Sequence, residues 1–443
     1  RTNNSINLKG FNMAMYEEKP HKISQLEDEQ QYETEIIVNE LEGQRVFGSQ
    51  HYEFWLISVI ALFWSLFQLY LVVEPTNSTI ARSIHLSFGM VLAFLIYPMM
   101  KKPYFLQKIR WFGYTFATIG VVTASYIAVF YDELSRRPGD YTSVDIIMAI
   151  IAIIILIEAG RRVLGLALSL IAVIFLAYDF LGPYMPELII HKGASLNKIA
   201  GHMFLTTEGI FGVPLGVSAG FVFLFVLFGS LLDKAGAGEY FINLAFSMLG
   251  KYRGGSAKAS IIASGFMGIM SGSSIANTVT TGTFTIPLMK RTGFRAEQAA
   301  AVEVSASSNG QLMPPVMGAA AFIMAEFLGM AYTDVVIAAF IPAFVAYFGL
   351  FYIIHLEALK LGLKGMDDED IPPKWKTFIQ GIHYLIPIMF LLYTLVVLRE
   401  SAASAAFNAI MLLMVLMVVQ HPFRAILAKE KLTRDIWLSG FVD

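Results

Sequence analysis

The chain has 443 residues, of which 56% are hydrophobic and only 15% charged, against roughly 25% charged in soluble domains. A net charge of -2 gives no basic surface for nucleic acid, and a mean hydropathy of +0.61 does not suit a water-soluble globule. There is no Cys, which excludes a disulfide scaffold, a thiolate metal site and a Cys nucleophile. The eight His are scattered, with no HExxH pair, so a catalytic zinc site is not expected. An all-α polytopic membrane protein remains.

Residues 1–50 are polar, with nine acids from Glu17 to Glu42 against Arg1, Lys9, Lys19, Lys22 and Arg45. They contain no apolar core of a signal peptide and are expected to form a cytoplasmic leader. The chain opens on Arg1, and Met13 or Met15 would serve as a start. A membrane helix needs about 20 mostly apolar residues. Such runs lie at 53–73, 80–100, 111–131, 143–159, 163–181, 213–233, 334–355, 378–398 and 402–420. Between 190 and 212 a less apolar stretch carries His191, Lys192, Lys198, His202 and Glu208, the pattern of an interfacial helix lying on the bilayer.

The few cations orient the spans. Lys101, Lys102, Lys108 and Arg110 follow the second span, and Arg161 and Arg162 the fourth. Lys360, Lys364, Lys374 and Lys376 mark a later loop, and Arg424, Lys429, Lys431 and Arg434 mark the last. All fall on one side when the N-terminus is cytoplasmic.

The region 251–316 breaks this pattern. Lys251, Arg253 and Lys258 precede the apolar run Ala259 to Met270. Ser271-Gly272-Ser273-Ser274-Ile275-Ala276-Asn277 follows, then the run Thr278 to Met289, then Lys290, Arg291 and Arg295. Each run has 12 residues, about 18 Å of helix against a hydrocarbon core of about 30 Å. Basic residues at both ends place both on the cytoplasmic side, so 259–289 is expected to be a re-entrant hairpin with a polar tip at mid-membrane. One 31-residue helix would put its basic ends on opposite faces, with Gly272, Gly282 and Pro287 inside it. Small-residue helix packing is the bland reading of Ser-Gly-Ser-Ser. The next segment, 296–330, is a helix interrupted at Asn309-Gly310-Gln311-Leu312-Met313-Pro314-Pro315, where Pro-Pro ends helical hydrogen bonding.

Two interruptions at mid-depth are the arrangement of secondary transporters, whose half-helix N-termini attract anions and whose unwound carbonyls coordinate Na⁺. Hydroxyls, amides and carbonyls without a loop carboxylate suit a monovalent ion better than Ca²⁺ or Mg²⁺. Glu303 is an acid within a membrane helix, a functional candidate by default, with Arg295 or the protein interior as its surroundings. An intramembrane serine enzyme would use Ser271 or Ser273 as nucleophile, but no His or Lys falls at the depth of the tip to act as base. A pore-forming protein is disfavoured by the lack of a repeated filter.

The tip sequence, Ile286-Pro287-Leu288-Met289-Lys290, Gly293-Phe294 and Asn309 to Pro315 together resemble the large permease subunit of TRAP (tripartite ATP-independent periplasmic) transporters. Gly250-Lys251-Tyr252-Arg253-Gly254-Gly255 resembles the lead-in to its first hairpin. The likeness covers about 190–443. Residues 51–188 resemble the small subunit fused in front, a scaffold, and the fusion is similar to the TAXI class. The resemblance implies an arm helix and first large-subunit span over 189–235, half a transport domain over 236–332, and further scaffold over 333–443. It implies an elevator in a bacterial or archaeal inner membrane, importing a small carboxylate with Na⁺ as coupling ion and no organic cofactor. A TAXI-type periplasmic solute-binding protein would deliver the substrate; a Na⁺/carboxylate carrier that needs none is the alternative. Carried onto this chain, Ser274, Asn277 and carbonyls at Gly310, Met313 and Pro315 would hold Na⁺. Ser271, Ser273, Thr281 and Gln311 would line the substrate space. The family's second hairpin repeat, with its own Na⁺ site, finds no counterpart after Val316, so the chain is expected to be a truncated permease.

Overall fold

The computed structural model describes residues 51–97, 99 and 103–427, without the side chains of 51–52, 103–110 and 421–427. The leader and the side chains of Lys101, Lys102, Lys108, Arg110, Arg424, Lys429, Lys431 and Arg434 lie outside the described residues. Among the described residues the secondary structure is helical, without strand. Nine helices or helix trains among the described residues are long and apolar enough to cross a membrane, from Glu53–Val73 to Ala402–Gln420. They coincide with the nine apolar runs.

Five long helices open the fold, with the short helix Tyr131–Arg136 between the third and fourth: α1 (His51–Val73), α2 (Ser78–Ile96), α3 (Pro103–Val129), α4 (Ser143–Leu164) and α5 (Leu166–Leu181). Asn77 caps α2, its side chain accepting from Thr79 N, and Thr142 with Asp145 forms a capping box on α4, satisfying amides that an N-terminus leaves bare. Asp145 is fully buried and accepts from Tyr126 at 2.5 Å and from Arg137 at 2.6 Å. α4 runs past the expected end at 159 and takes Arg161 and Arg162 into its last turn. Glu158 makes this possible by accepting from both, at 2.7 and 2.8 Å, while the Arg162 guanidinium lies over Phe94 and Phe116. The chain then reverses at Gly165, whose φ of 89° favours glycine.

The stretch 190–212 is not one continuous helix. Helix covers only Leu196–Ala200 and Gly201–Leu205, followed by turns. Its Phe204 and Phe211 are buried in one apolar cluster with Tyr126, Ile146 and Ala149, and Arg82 donates to the Phe211 carbonyl at 2.6 Å. Burying two large aromatic rings in the front bundle outweighs the mixed polarity of the segment.

The second half has α6 (Phe223–Lys234), α7 (Ala237–Leu249), α8 (Gly255–Ser271), α9 (Ser274–Arg291), α10 (Ala296–Gly310), α11 (Ala319–Leu328), α12 (Tyr332–Lys360) and α13 (Ala402–Leu427). A helix train from Asp368 to Val397 precedes α13. Phe225, Phe228, Phe241, Met270, Phe322, Leu391 and Ile410 belong to one buried apolar cluster, which joins the hairpin tip to α6, α11 and α13.

Candidate functional site

α8 and α9 form a hairpin. Ser256 and Thr292 hydroxyls meet at its base, 2.6 Å apart, and Ser264 and Thr281 hydroxyls meet half-way up at 3.2 Å. That descending ladder is antiparallel and excludes a single straight helix. The base is tied to the loop after α12: Gly254 N donates to Lys364 O, Met366 N to Gly250 O, and Lys251 pairs with Asp368 at 2.6 Å. Both hairpin ends and that basic loop therefore lie on one face. The arms have 17 and 18 residues, about 26 Å of helix rather than the 18 Å of the apolar runs alone. Lys258 allows the extension: it is 5% exposed inside α8, donating to His355 Nδ1 at 2.9 Å beneath Phe351.

At the tip, α8 ends on Ser271 and α9 starts on Ser274. Gly272 has φ 58°, and a Cβ there would meet Met317 O at 2.3 Å, so only glycine fits both the backbone and the approach. Ser271 Oγ donates to Ser273 O at 3.3 Å, and Ser273 caps α9 by accepting from Ala276 N at 3.3 Å. α10 continues to Gly310, two residues beyond the expected end, and α11 begins at Ala319 rather than Val316. The intervening chain is turned by hydrogen bonds from Met313 N to Gly310 O and from Gly318 N to Gln311 O.

Tip and break touch. Gln311 Nε2 donates to Ser274 Oγ at 3.0 Å. A Cβ on Gly268 would lie 2.4 Å from Gly310 Cα, and one on Gly318 would lie 3.4 Å from Gly272 O. The C-termini of α8 and α10 thus meet the N-termini of α9 and α11 at one place. Helix C-termini carry partial negative charge and N-termini partial positive charge, so this junction presents a cation-attracting side and an anion-attracting side.

Asn277 is 1% exposed between them. Its Nδ2 donates to Ser264 O at 2.8 Å, while its Oδ1 is buried and has no hydrogen-bond partner among the described residues. The amide orientation follows from the Ser264 carbonyl, which needs a donor. A buried acceptor left bare costs about 1–3 kcal/mol, and a hard cation would satisfy it. Of the carbonyls expected beside Na⁺, those of Gly310 and Met313 each accept one backbone amide, leaving a second lone pair on each. The Pro315 carbonyl accepts from Tyr332 Oη at 2.7 Å, as does Val316 O at 2.9 Å.

Thr281, expected beside the substrate, has no exposed surface. It belongs to a second cluster centred on Glu303, which is fully buried and has Arg295 exposed at the far end of its helix. Glu303 accepts from Ser264 at 2.8 Å, Thr285 at 2.5 Å and Ser307 at 3.2 Å, and makes a short bond with Thr281. Sequence reasoning placed Glu303 in the membrane but missed Ser264, Thr285, Ser307 and the Tyr332 clamp. The signal available was polar residues four apart, Thr281/Thr285 and Glu303/Ser307, which share a helix face.

Residues 151–437 match the family model of the tripartite ATP-independent periplasmic transporter, DctM component. The chain belongs to this family. Three curated relatives are permeases of the same kind. The C4-dicarboxylate TRAP transporter large permease protein DctM of Vibrio cholerae serotype O1 is 28% identical over 37% of this chain and 33% of its own length. Its Rhodobacter capsulatus namesake is 35% identical over 20% of this chain and 21% of its own length. The 2,3-diketo-L-gulonate TRAP transporter large permease protein YiaN of Escherichia coli (strain K12) is 23% identical over 42% of this chain and 44% of its own length. The chain spans a third of the length of the Vibrio protein. The family match starts at 151, inside α4 rather than near 190. This TRAP family consists of permeases, not enzymes, so the serine-nucleophile reading is dropped. The chain is a multi-pass membrane protein.

Proposed function

We propose that the chain is membrane permease of a Na⁺-coupled secondary transporter that imports a small carboxylate delivered by a periplasmic solute-binding protein. The observation that carries this reading is the junction of four helix ends around Asn277, whose buried Oδ1 lacks a partner among the described residues. Na⁺ would sit toward the C-termini of α8 and α10, with Ser274, Asn277 and carbonyls at Gly310, Met313 and Pro315 as its oxygens. The carboxylate would sit toward the N-termini of α9 and α11, where free amides and positive dipole ends favour an anion. Ser271, Ser273 and Gln311 offer it hydroxyls and an amide, and Thr281 supports the arm behind them.

In this reading the hairpin and α10 move as an elevator against a scaffold of front helices, α12 and α13. The front helices are a small subunit fused to the large one, as in the TAXI class, and the binding protein is of that type. The membrane is the inner membrane, with the N-terminus and the hairpin base cytoplasmic. The positions of Lys101, Lys102, Arg161, Arg162, Lys360 and Lys364 support that sidedness.

Uptake of radiolabelled carboxylates into proteoliposomes, with full-length permease and binding protein, tests this function. Accumulation should require an inward Na⁺ gradient and the binding protein. Equal uptake with and without the gradient refutes the coupling, and undiminished uptake without the binding protein refutes the tripartite reading.

A further inference from the structure

The Glu303 carboxyl does not itself bond Asn277, to which Ser264 and Thr281 link it, and the Na⁺ reading does not use the carboxyl. Six contacts make up the cluster, four of them to the carboxyl, from Ser264, Thr281, Thr285 and Ser307, and two around it, Ser264–Thr281 and Thr281 to the Asn277 carbonyl. Each needs one hydrogen, and the four hydroxyls supply one apiece. With Glu303 ionised, all four hydroxyls donate to the carboxylate, and Ser264–Thr281 and Thr281 to the Asn277 carbonyl lack a proton. With a proton on Oε1, Glu303 donates to Thr281, Thr281 donates to Asn277 O, and Ser264, Ser307 and Thr285 donate to the carboxyl. Five of the six contacts are then made.

The charge surroundings agree. On α8, Lys258 is turned away to His355 on α12. On α9, Lys290 and Arg291 are exposed at the base. On α10, Arg295 and Glu297 are exposed in the first turn. On α12, Tyr347 donates to Ala306 O at 2.9 Å, and Glu357 accepts from Gln298 at 2.8 Å. None of these cations faces the carboxyl, and a buried charge without a counter-charge is among the costliest groups in a fold.

We propose that Glu303 is a proton-binding site. It holds a proton while α8 and α9 are packed on α10, a packing the elevator carries as one body, and it exchanges that proton with water only through local opening of that packing. The ligand is H⁺, taken up on Oε1 and shared with Thr281. Hydroxyls from three helices converge on one carboxyl, so proton occupancy and hairpin docking depend on each other.

Infrared spectroscopy of the full-length permease in liposomes tests this, in potassium buffer without Na⁺ so that the outcome is independent of the Na⁺ reading. The wild-type protein at neutral pH should show the carbonyl stretch of a protonated, D₂O-sensitive carboxyl that vanishes in Glu303→Gln. Thr285→Val removes the donor to Oε2 and should shift the same band to higher frequency. If Glu303→Gln removes no such band, Glu303 is ionised and the proposal falls. If Glu303→Gln does not fold, Thr285→Val decides alone: a shifted protonated-carboxyl band supports the site and an unshifted spectrum overturns it.

Discussion

Gln311, in the break after α10, reaches the first residue of α9 and donates from Nε2 to Ser274 Oγ at 3.0 Å. This bond spans the two interruptions and makes the hairpin tip and the broken helix one polar junction. In a membrane interior, freed backbone groups persist only where protein or a bound ligand satisfies them. The bond is accessible enough that its loss alone is mild: Gln311→Ala should lower stability by about 0.5–1.5 kcal/mol. A double-mutant cycle with Ser274→Ala, read by thermal unfolding in detergent, should give a coupling energy above zero.

The close approach of Gly268 to Gly310 predicts a larger effect. A methyl group at Gly268 would overlap backbone, 2.4 Å from Gly310 Cα, and backbone cannot turn aside as a side chain can. Gly268→Ala should destabilise by about 1–3 kcal/mol. Gly349→Ala on α12 places its methyl in open space and should leave the melting temperature unchanged or slightly raised, since Ala favours helix over Gly by about 1 kcal/mol.

Tyr332 holds the far side of the break through Pro315 O and Val316 O while its ring stacks on Phe322 at 4.2 Å between centroids. Tyr332→Phe keeps the ring and removes the single O–H that the two buried carbonyls share. A loss of about 1–3 kcal/mol is expected, together with faster proteolysis near residues 311–318. Unchanged proteolysis would mean that the break is held by its own turns.

The front bundle offers a contrast. Asp145 gathers Tyr126, Arg137 and Thr142 at the start of α4. Asp145→Ala should cost about 2–3 kcal/mol, as hydrogen bonds to a charged group are lost. The Na⁺ response of the remaining folded protein should not change, because Asp145 lies in the front bundle and not at the junction. A Na⁺ response lost along with stability would tie the front bundle to the ion site.

The nine spans were legible because 20-residue apolar runs and the scarcity of Lys and Arg are local signals. The hairpin was legible for the same reason: Lys258 and Lys290 bracket two runs too short to cross. Its true length was not, because Lys258 lies inside α8 only through His355 and Phe351, almost a hundred residues away. Over 190–212 the helix is confined to 196–205, which polarity alone does not show, because Phe204 and Phe211 bury beside Tyr126, Ile146 and Ala149 from distant helices. Glu303 could be placed in the membrane from sequence, but its four hydroxyls come from three helices, and only packing brings them to one carboxyl.

The central claim, a Na⁺ site built on Asn277, is tested most directly by the melting temperature of the full-length permease in NaCl against KCl of equal ionic strength. A ligand that binds only the folded state at a hundred times its dissociation constant stabilises by about 2.7 kcal/mol. The wild-type protein should melt at a higher temperature in NaCl, and Asn277→Ala should show none of that increment. A Na⁺ increment of the same size in Asn277→Ala and wild type would contradict the claim.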